Sequence, residues 1–336
     1  EDGRSFFWKQ RTKEGLFLTH ATVTHEGATI INTCKELFIK DIVTTNTTEP
    51  TIVITGTPVK EIDTTRNLIA QVKYGQQTGF RVENIWGKET PGQYGASVSL
   101  EHDVVVLNSS TPTSLPTSTV FKNGKKIGDL PSAAEEPGFD PKVTFQTIEI
   151  EKQTYFTSIV RPQNFDPKKK YPVILDVYGG PHHLHVIKAK RNWLIPQWLA
   201  DQGFIVVAVE NRGTPGRDCL WEWAIYQKFA DVTIEDQVAG LKALGAKYPE
   251  LDLSRVGVTG WSFGGYMSAL AVLKRPDIFH AAVAGAPVTD WEDYDTHYTE
   301  RYMGLLPESK KAYDDASLIP MAKDLKRPLL LVHGTA

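Results

Sequence analysis

A serine between glycines, at the joint of a strand and a helix, constrains this chain more than any other stretch. Gly260-Trp261-Ser262-Phe263-Gly264 follows Arg255-Val256-Gly257-Val258-Thr259, whose valines mark a short buried strand. Over 264–274, Met267, Leu270, Ala271 and Leu273 recur at helical spacing, and Pro276 closes the run. A strand that turns directly into a helix strains its central residue. Side chains two positions away on either side would collide, which is why glycine is needed there. The strain lifts the Ser262 hydroxyl clear of the backbone at a helix N-terminus, where amides and the helix dipole favour developing negative charge. The pentapeptide fits the G-x-S-x-G nucleophile elbow, and the apolar strand before it and helix after it supply the context that a plain Gly/Ser turn lacks. Ser262 is the candidate nucleophile.

Around this turn strands alternate with helices. Residues 143–151 and 154–160 read as a hairpin about Lys152-Gln153, and 172–178 and 204–209 as near-continuous apolar strands of the kind buried on both faces. Residues 195–200 read as helical, with Gly203 as a stop. Ile234, Val238, Leu241 and Leu244 give 233–248 one apolar face. Ala281-Ala282-Val283-Ala284-Gly285 and Pro328-Leu329-Leu330-Leu331-Val332-His333 read as strands after the elbow helix. This alternation, with the elbow, predicts a doubly wound α/β-hydrolase sheet over 141–336.

Residues 1–140 read as all-β. Short β-branched or alternating runs at 5–9, 15–19, 36–40, 51–55, 67–72 and 103–107 are separated by turn residues such as Glu26-Gly27 and Gln77-Thr78-Gly79. A sandwich, a barrel and propeller blades all fit these spacings, and no clean internal repeat separates them. Residues 128–138, rich in Pro, Gly and small polar residues, form the expected linker, with Glu135-Glu136 as a solvated charge pair within it.

A length of 336 residues suggests about two domains. A net charge of −3 carries no polycationic character and argues against nucleic acid or anionic membrane as partner. No apolar run reaches the length of a bilayer span. Cys34 and Cys219, the two cysteines, make neither a disulfide framework nor a zinc spacing and read as free thiols. His182, His183 and His185 lack the partners of a zinc site, so no metal or cofactor is expected. Asn46-Thr47-Thr48 and Asn108-Ser109-Ser110 fit the glycosylation acceptor pattern, which leaves the compartment open.

A serine hydrolase needs donors where the tetrahedral oxyanion will sit, commonly the amide after the nucleophile and one from an earlier Gly-rich loop. Phe263 supplies the first amide. Tyr178-Gly179-Gly180-Pro181 follows the earlier buried strand where the second donor belongs, and the Tyr178 hydroxyl is itself a donor. Beyond the strand after the elbow helix, Val288, Trp291, Tyr294 and Tyr298 have the spacing of either an apolar pocket wall or an ordinary buried helix face.

Gly260-Trp261-Ser262-Phe263-Gly264-Gly265-Tyr266, Leu175-Asp176-Val177-Tyr178-Gly179-Gly180-Pro181, Asn211-Arg212-Gly213 and Tyr298-Thr299-Glu300-Arg301-Tyr302-Met303-Gly304 together resemble the prolyl oligopeptidase family of serine peptidases. The last block is similar to the dipeptidyl peptidase IV subfamily. The resemblance is strong over about 143–336 and general upstream, where it implies that 1–140 is part of a β-propeller. It further implies a serine exopeptidase that releases dipeptides from short peptides with a penultimate Pro or Ala. In that reading Tyr178 and the Phe263 amide serve the oxyanion, and Val288, Trp291, Tyr294 and Tyr298 wall the pocket. Triad partners on this fold follow in the order Ser, Asp, His. The resemblance puts the aspartate just after Leu331-Val332-His333-Gly334-Thr335-Ala336 and the histidine beyond it, so His333, Asp314 and Asp315 take no catalytic role. It puts a paired-glutamate site for the substrate amino terminus before Glu1. The chain is thus expected to lack two triad members and to be nearly inert alone. An acyl-peptide hydrolase or esterase on the same fold, and a non-catalytic scaffold, are the alternatives. The resemblance leaves a homodimer, membrane attachment and compartment open.

Overall fold

The chain is described here from a computed structural model, which covers residues 5–11, 16–24, 27–34, 37–45, 51–58, 63–75 and 78–335. It forms two compact units. One comprises Glu1–Asp140, Ile187–Asn192 and Gly216–Cys219, and the other Pro141–Val186, Trp193–Pro215 and Leu220–Ala336.

The first unit is built of antiparallel meanders. Strands β1 (Ser5–Arg11), β2 (Leu16–Thr24) and β3 (Gly27–Cys34) pair in chain order. So do β4 (Leu37–Thr45), β5 (Thr51–Pro58), β6 (Leu68–Gly75) and β7 (Gly79–Trp86), and again β8 (Gln93–Val98), β9 (Val104–Thr111), β10 (Ser114–Lys122) and β11 (Lys125–Leu130). Four strands in up-and-down order is the build of a propeller blade. Leu18, Ile39, Ile52, Ile54, Leu68, Ala70 and Val72 form one core, and Val53, Ile69 and Leu107 a second.

Several of these strands carry little apolar signal. Strand β11, for example, is mostly exposed, and it occupies the start of the expected linker. Glu136 is not simply solvated: Lys190 Nζ donates to its Oε2 at 2.8 Å and meets Asp140 Oδ1 at 2.9 Å. In the same unit Lys188 Nζ donates to Asp63 at 2.9 Å. Asn108 lies on β9, exposed, and accepts from Ser118 Oγ, whereas Asn46 falls outside the described residues. Cys219 is a partly exposed free thiol, and the Cys34 side chain is also outside the described set.

In the second unit the elements run β12 (Val143–Ile150), β13 (Gln153–Val160), β14 (Tyr171–Asp176), α1 (Leu194–Asp201), β15 (Ile205–Val209), α2 (Cys219–Trp223), α3 (Val232–Lys247), β16 (Leu251–Trp261), α4 (Phe263–Lys274), β17 (Ala281–Gly285), α5 (Thr296–Met303), α6 (Lys310–Ala316) and β18 (Leu329–Val332). The sheet order is β12-β13-β15-β14-β16-β17-β18, parallel from β15 onward, with the β12–β13 hairpin antiparallel at one edge. Every residue of β15 is buried, as an apolar run without alternation requires. Ile234, Val238, Leu241 and Leu244 of α3 are buried on the face that meets the sheet. This is the α/β-hydrolase arrangement. Ligands on such sheets bind outside the carboxyl ends of the strands, which fixes where to look.

Candidate active site

Strands β14 and β16 are parallel neighbours with Asp176 opposite Thr259, and the Val177 amide donates to the Thr259 carbonyl at 2.9 Å. Tyr178 and Ser262 therefore leave the same sheet edge side by side, a few residues past one registered pair. Ser262 has φ 59° and ψ −117° and caps the start of α4. Its amide donates to Gly285 at 2.9 Å and its carbonyl accepts from Tyr266 at 3.0 Å. Ser262 is half-buried, and both of its backbone groups are paired. The amide of Phe263, first in the helix, has no intrahelical acceptor.

The glycines are there because backbones touch. A Cβ on Gly260 would lie 2.2 Å from the Val177 carbonyl, and one on Gly264 2.1 Å from the same oxygen and 3.2 Å from Tyr178 Cα. The elbow is thus wedged against the strand end that carries Tyr178. That tyrosine ring lies 6.0 Å from the Phe263 ring and 4.7 Å from His183. Burial, helped by Tyr294 and Tyr302, raises its phenol above the usual value, so it keeps its proton at neutral pH.

Trp291 is 1% exposed and packs in a cluster of aromatic rings within the core. Its ring centroid is 5.4 Å from Phe263, 6.0 Å from Tyr294 and 6.3 Å from Tyr298, onto which it stacks. Tyr294 and Tyr298 meet at 5.5 Å, Tyr294 being exposed and Tyr298 half-buried. Val288 packs half-buried against the same core. The acidic residues among these aromatics cap turns: Asp290 accepts from the Glu292 amide and Asp295 from the Tyr298 amide. Burial also raises the Tyr298 phenol, with Tyr178 and Tyr302 adding to it.

Sequence reasoning named His182, Asn211, Arg212 and Tyr302 without giving them a role, and passed over the rest of the layer behind these groups. Phe229 is fully buried, 5.1 Å from Phe263 and 4.8 Å from Trp291. The ring of Tyr302 lies 5.3 Å from that of Tyr298, and its hydroxyl hydrogen-bonds His182 Nε2. Burial, and then Arg301, lower the His182 imidazole. Asn211, fully buried, donates to the Gly179 carbonyl at 2.8 Å and accepts from Gln237 at 2.7 Å. Arg212 grips buried Asp236 through Nε at 3.0 Å and Nη2 at 2.7 Å. One signal was available: Glu210 and Asn211 are polar residues at the very end of a fully buried strand, where unpaired polar groups are costly.

His333 is exposed, with Nδ1 near the Gly334 carbonyl, while Asp314 and Asp315 lie on α6, paired to Lys310 and Lys311. Among the described residues no side chain hydrogen-bonds the Ser262 hydroxyl.

Residues 191–336 match the profile of the prolyl oligopeptidase family. Those residues carry the sequence pattern of that family. It is 38% identical over 239 residues to dipeptidyl peptidase 8 of Homo sapiens, a match that covers 69% of this chain and 26% of that protein. With prolyl endopeptidase FAP of Homo sapiens it shares 33% identity over 204 residues, covering 58% and 26%. The crystal structure of Porphyromonas gingivalis dipeptidyl peptidase 4 superposes with a TM-score of 0.83 at 24% identity, over 100% of this chain and 47% of that one. The matches thus span about a quarter of the length of these relatives. The structural likeness carries the fold, an all-β propeller region followed by an α/β-hydrolase sheet.

Proposed function

We propose that this chain carries the nucleophile and oxyanion elements of a serine exopeptidase of the dipeptidyl peptidase type, cutting after a penultimate Pro or Ala. The supporting observation is the strained Ser262 at the head of α4, beside the loop from the neighbouring parallel strand. Ser262 Oγ attacks the scissile carbonyl while its proton passes to a histidine. Tyr178 O–H and Phe263 N–H donate to the oxygen that gains charge. Collapse expels the amine, which takes that proton, and water then hydrolyses the acyl-serine. Val288, Trp291, Tyr294 and Tyr298 hold the small ring or short side chain ahead of the cleaved bond. The mechanism requires a triad aspartate and histidine and a carboxylate anchor for the substrate amino terminus, roles assigned to none of the described residues.

The test is release of dipeptide from Ala-Pro and Gly-Pro anilides by the full-length protein. Brisk ester hydrolysis without dipeptide release would assign it instead to an acyl-peptide hydrolase or esterase, and absence of both to a scaffold.

A further inference from the structure

The proposed chemistry leaves one buried ionisable group unused. Glu210, just past β15, is 2% exposed, and its Oε1 accepts both the His185 amide and, at 2.6 Å, the Val186 amide. The His185 imidazole meets Asp176 through Nε2 at 3.0 Å, and Asp176 ends β14, two residues before Tyr178. His185 is thus held from two adjacent parallel strands, its imidazole by Asp176 and its backbone amide by Glu210, at the far end of the loop that Tyr178 begins. The near end is tied by the Asn211 bond to Gly179. Within the loop His182 takes φ 71°.

A carboxylate drawn out of water is costly unless a cation or hydrogen-bond donors meet it, as His185 meets Asp176 and two backbone amides meet Glu210. The titratable groups facing His185 are Asp176, Glu210 and His183, whose ring is 6.2 Å away; Trp193 is its neutral neighbour. Burial opposes charge on His185, but Asp176 and then Glu210 outweigh it and the imidazole is pushed up to about 9. Burial moves the Glu210 carboxyl up.

We propose that His185 is a positioning residue: as a cation paired with Asp176, while Glu210 holds its backbone amide, it fixes the 178–186 loop so that the Tyr178 hydroxyl meets the oxyanion. This rests on the serine-peptidase reading. The ion pair is complete below the ordinary imidazole value of 6.5 and is lost as pH rises through about 9. Turnover then falls on that alkaline limb.

The experiment measures kcat and KM on Ala-Pro-para-nitroanilide against pH. It compares the full-length protein with its His185→Gln, His185→Lys, Tyr178→Phe and Tyr178→Phe/His185→Gln variants. His185→Gln is expected to lower kcat about 10- to 100-fold with little change in KM, the scale at which supporting groups act on a reactive one. His185→Lys restores most of the loss and moves the alkaline limb upward, because an ammonium keeps its charge at higher pH. In the double variant His185→Gln adds almost nothing to Tyr178→Phe, since both act through one hydroxyl. Unchanged kcat in His185→Gln, additive losses, or an alkaline limb unmoved in His185→Lys would each overturn the proposal. If His185→Gln fails to fold, the position of the limb in His185→Lys decides. An inactive wild type sinks the peptidase reading and this proposal with it, whereas an active wild type with indifferent His185 variants sinks the proposal alone.

Discussion

Replacing Gly264 by alanine sets two effects of opposite sign against each other. Gly264 is the second residue of α4, and an alanine inside a helix is favoured over glycine by about 1 kcal/mol. Against this, the added Cβ would sit 2.1 Å from the Val177 carbonyl oxygen, 3.1 Å from its carbon and 3.2 Å from Tyr178 Cα. The first distance is more than about 1 Å inside a normal contact. All three atoms are backbone at the end of a central strand, so no rotamer change relieves the overlap. Overpacking a core by one methyl costs about 1–3 kcal/mol when side chains can adjust, and a backbone clash belongs at the top of that range or beyond. The net is a loss of about 2 kcal/mol, roughly thirtyfold in the folding equilibrium. Gly257→Ala is the internal control. It lies on the adjoining strand β16, and its Cβ would find only carbonyl oxygens at 3.9 and 4.0 Å, so it should change stability by less than about 0.5 kcal/mol. Urea unfolding of both variants and wild type, followed by far-ultraviolet circular dichroism, reads the difference. A Gly264→Ala protein as stable as wild type would refute the claim that the elbow is wedged against the Tyr178 strand.

Other consequences are simpler. Arg212→Ala strands the buried Asp236 carboxylate and should cost about 3–5 kcal/mol in thermal or urea melts, whereas an apolar replacement of both partners should recover most of it. Phe229→Ala opens a cavity behind Phe263 and Trp291 and should cost about 3–5 kcal/mol by the same melts. Hydrogen bonds from Ser254 and then Arg255 hold the Asp252 carboxyl down at about 2. Its folded value lies below the ordinary 3.8, so its contribution is present above about pH 4 and disappears as pH falls through about 2. Stability-against-pH curves of wild type and Asp252→Asn should therefore converge across that window.

The α/β sheet was legible in the chain because its signals are local. Apolar runs announced β14 and β15, although only β15 is buried at every residue and β14 alternates between buried and partly buried positions; the face of α3 was periodic, and the helix after Ser262 began within a residue of its expected start. The elbow strand proved longer than Val256 and Val258 alone suggest, since Leu251 pairs back with Tyr171 through a register shift that no local pattern encodes. In the first unit, β8, β10 and β11 are rich in Ser, Thr, Gly and Lys and stay partly exposed, so tertiary pairing rather than side-chain pattern makes them strands. At the site, the residues that touch along the chain, Ser262 and Phe263, could be read directly. Their supports could not. Phe229, Tyr302, Asn211, Gln237 and Glu210 reach the site from four separate segments, and only the fold brings them there.

The central claim is that the Ser262 hydroxyl is the attacking group. The most direct measurement is dipeptide release from Ala-Pro-para-nitroanilide by full-length protein carrying Ser262→Ala, with folding checked by circular dichroism. The account predicts a fall in kcat on the order of a millionfold with the fold intact. Turnover that survives the substitution would contradict it.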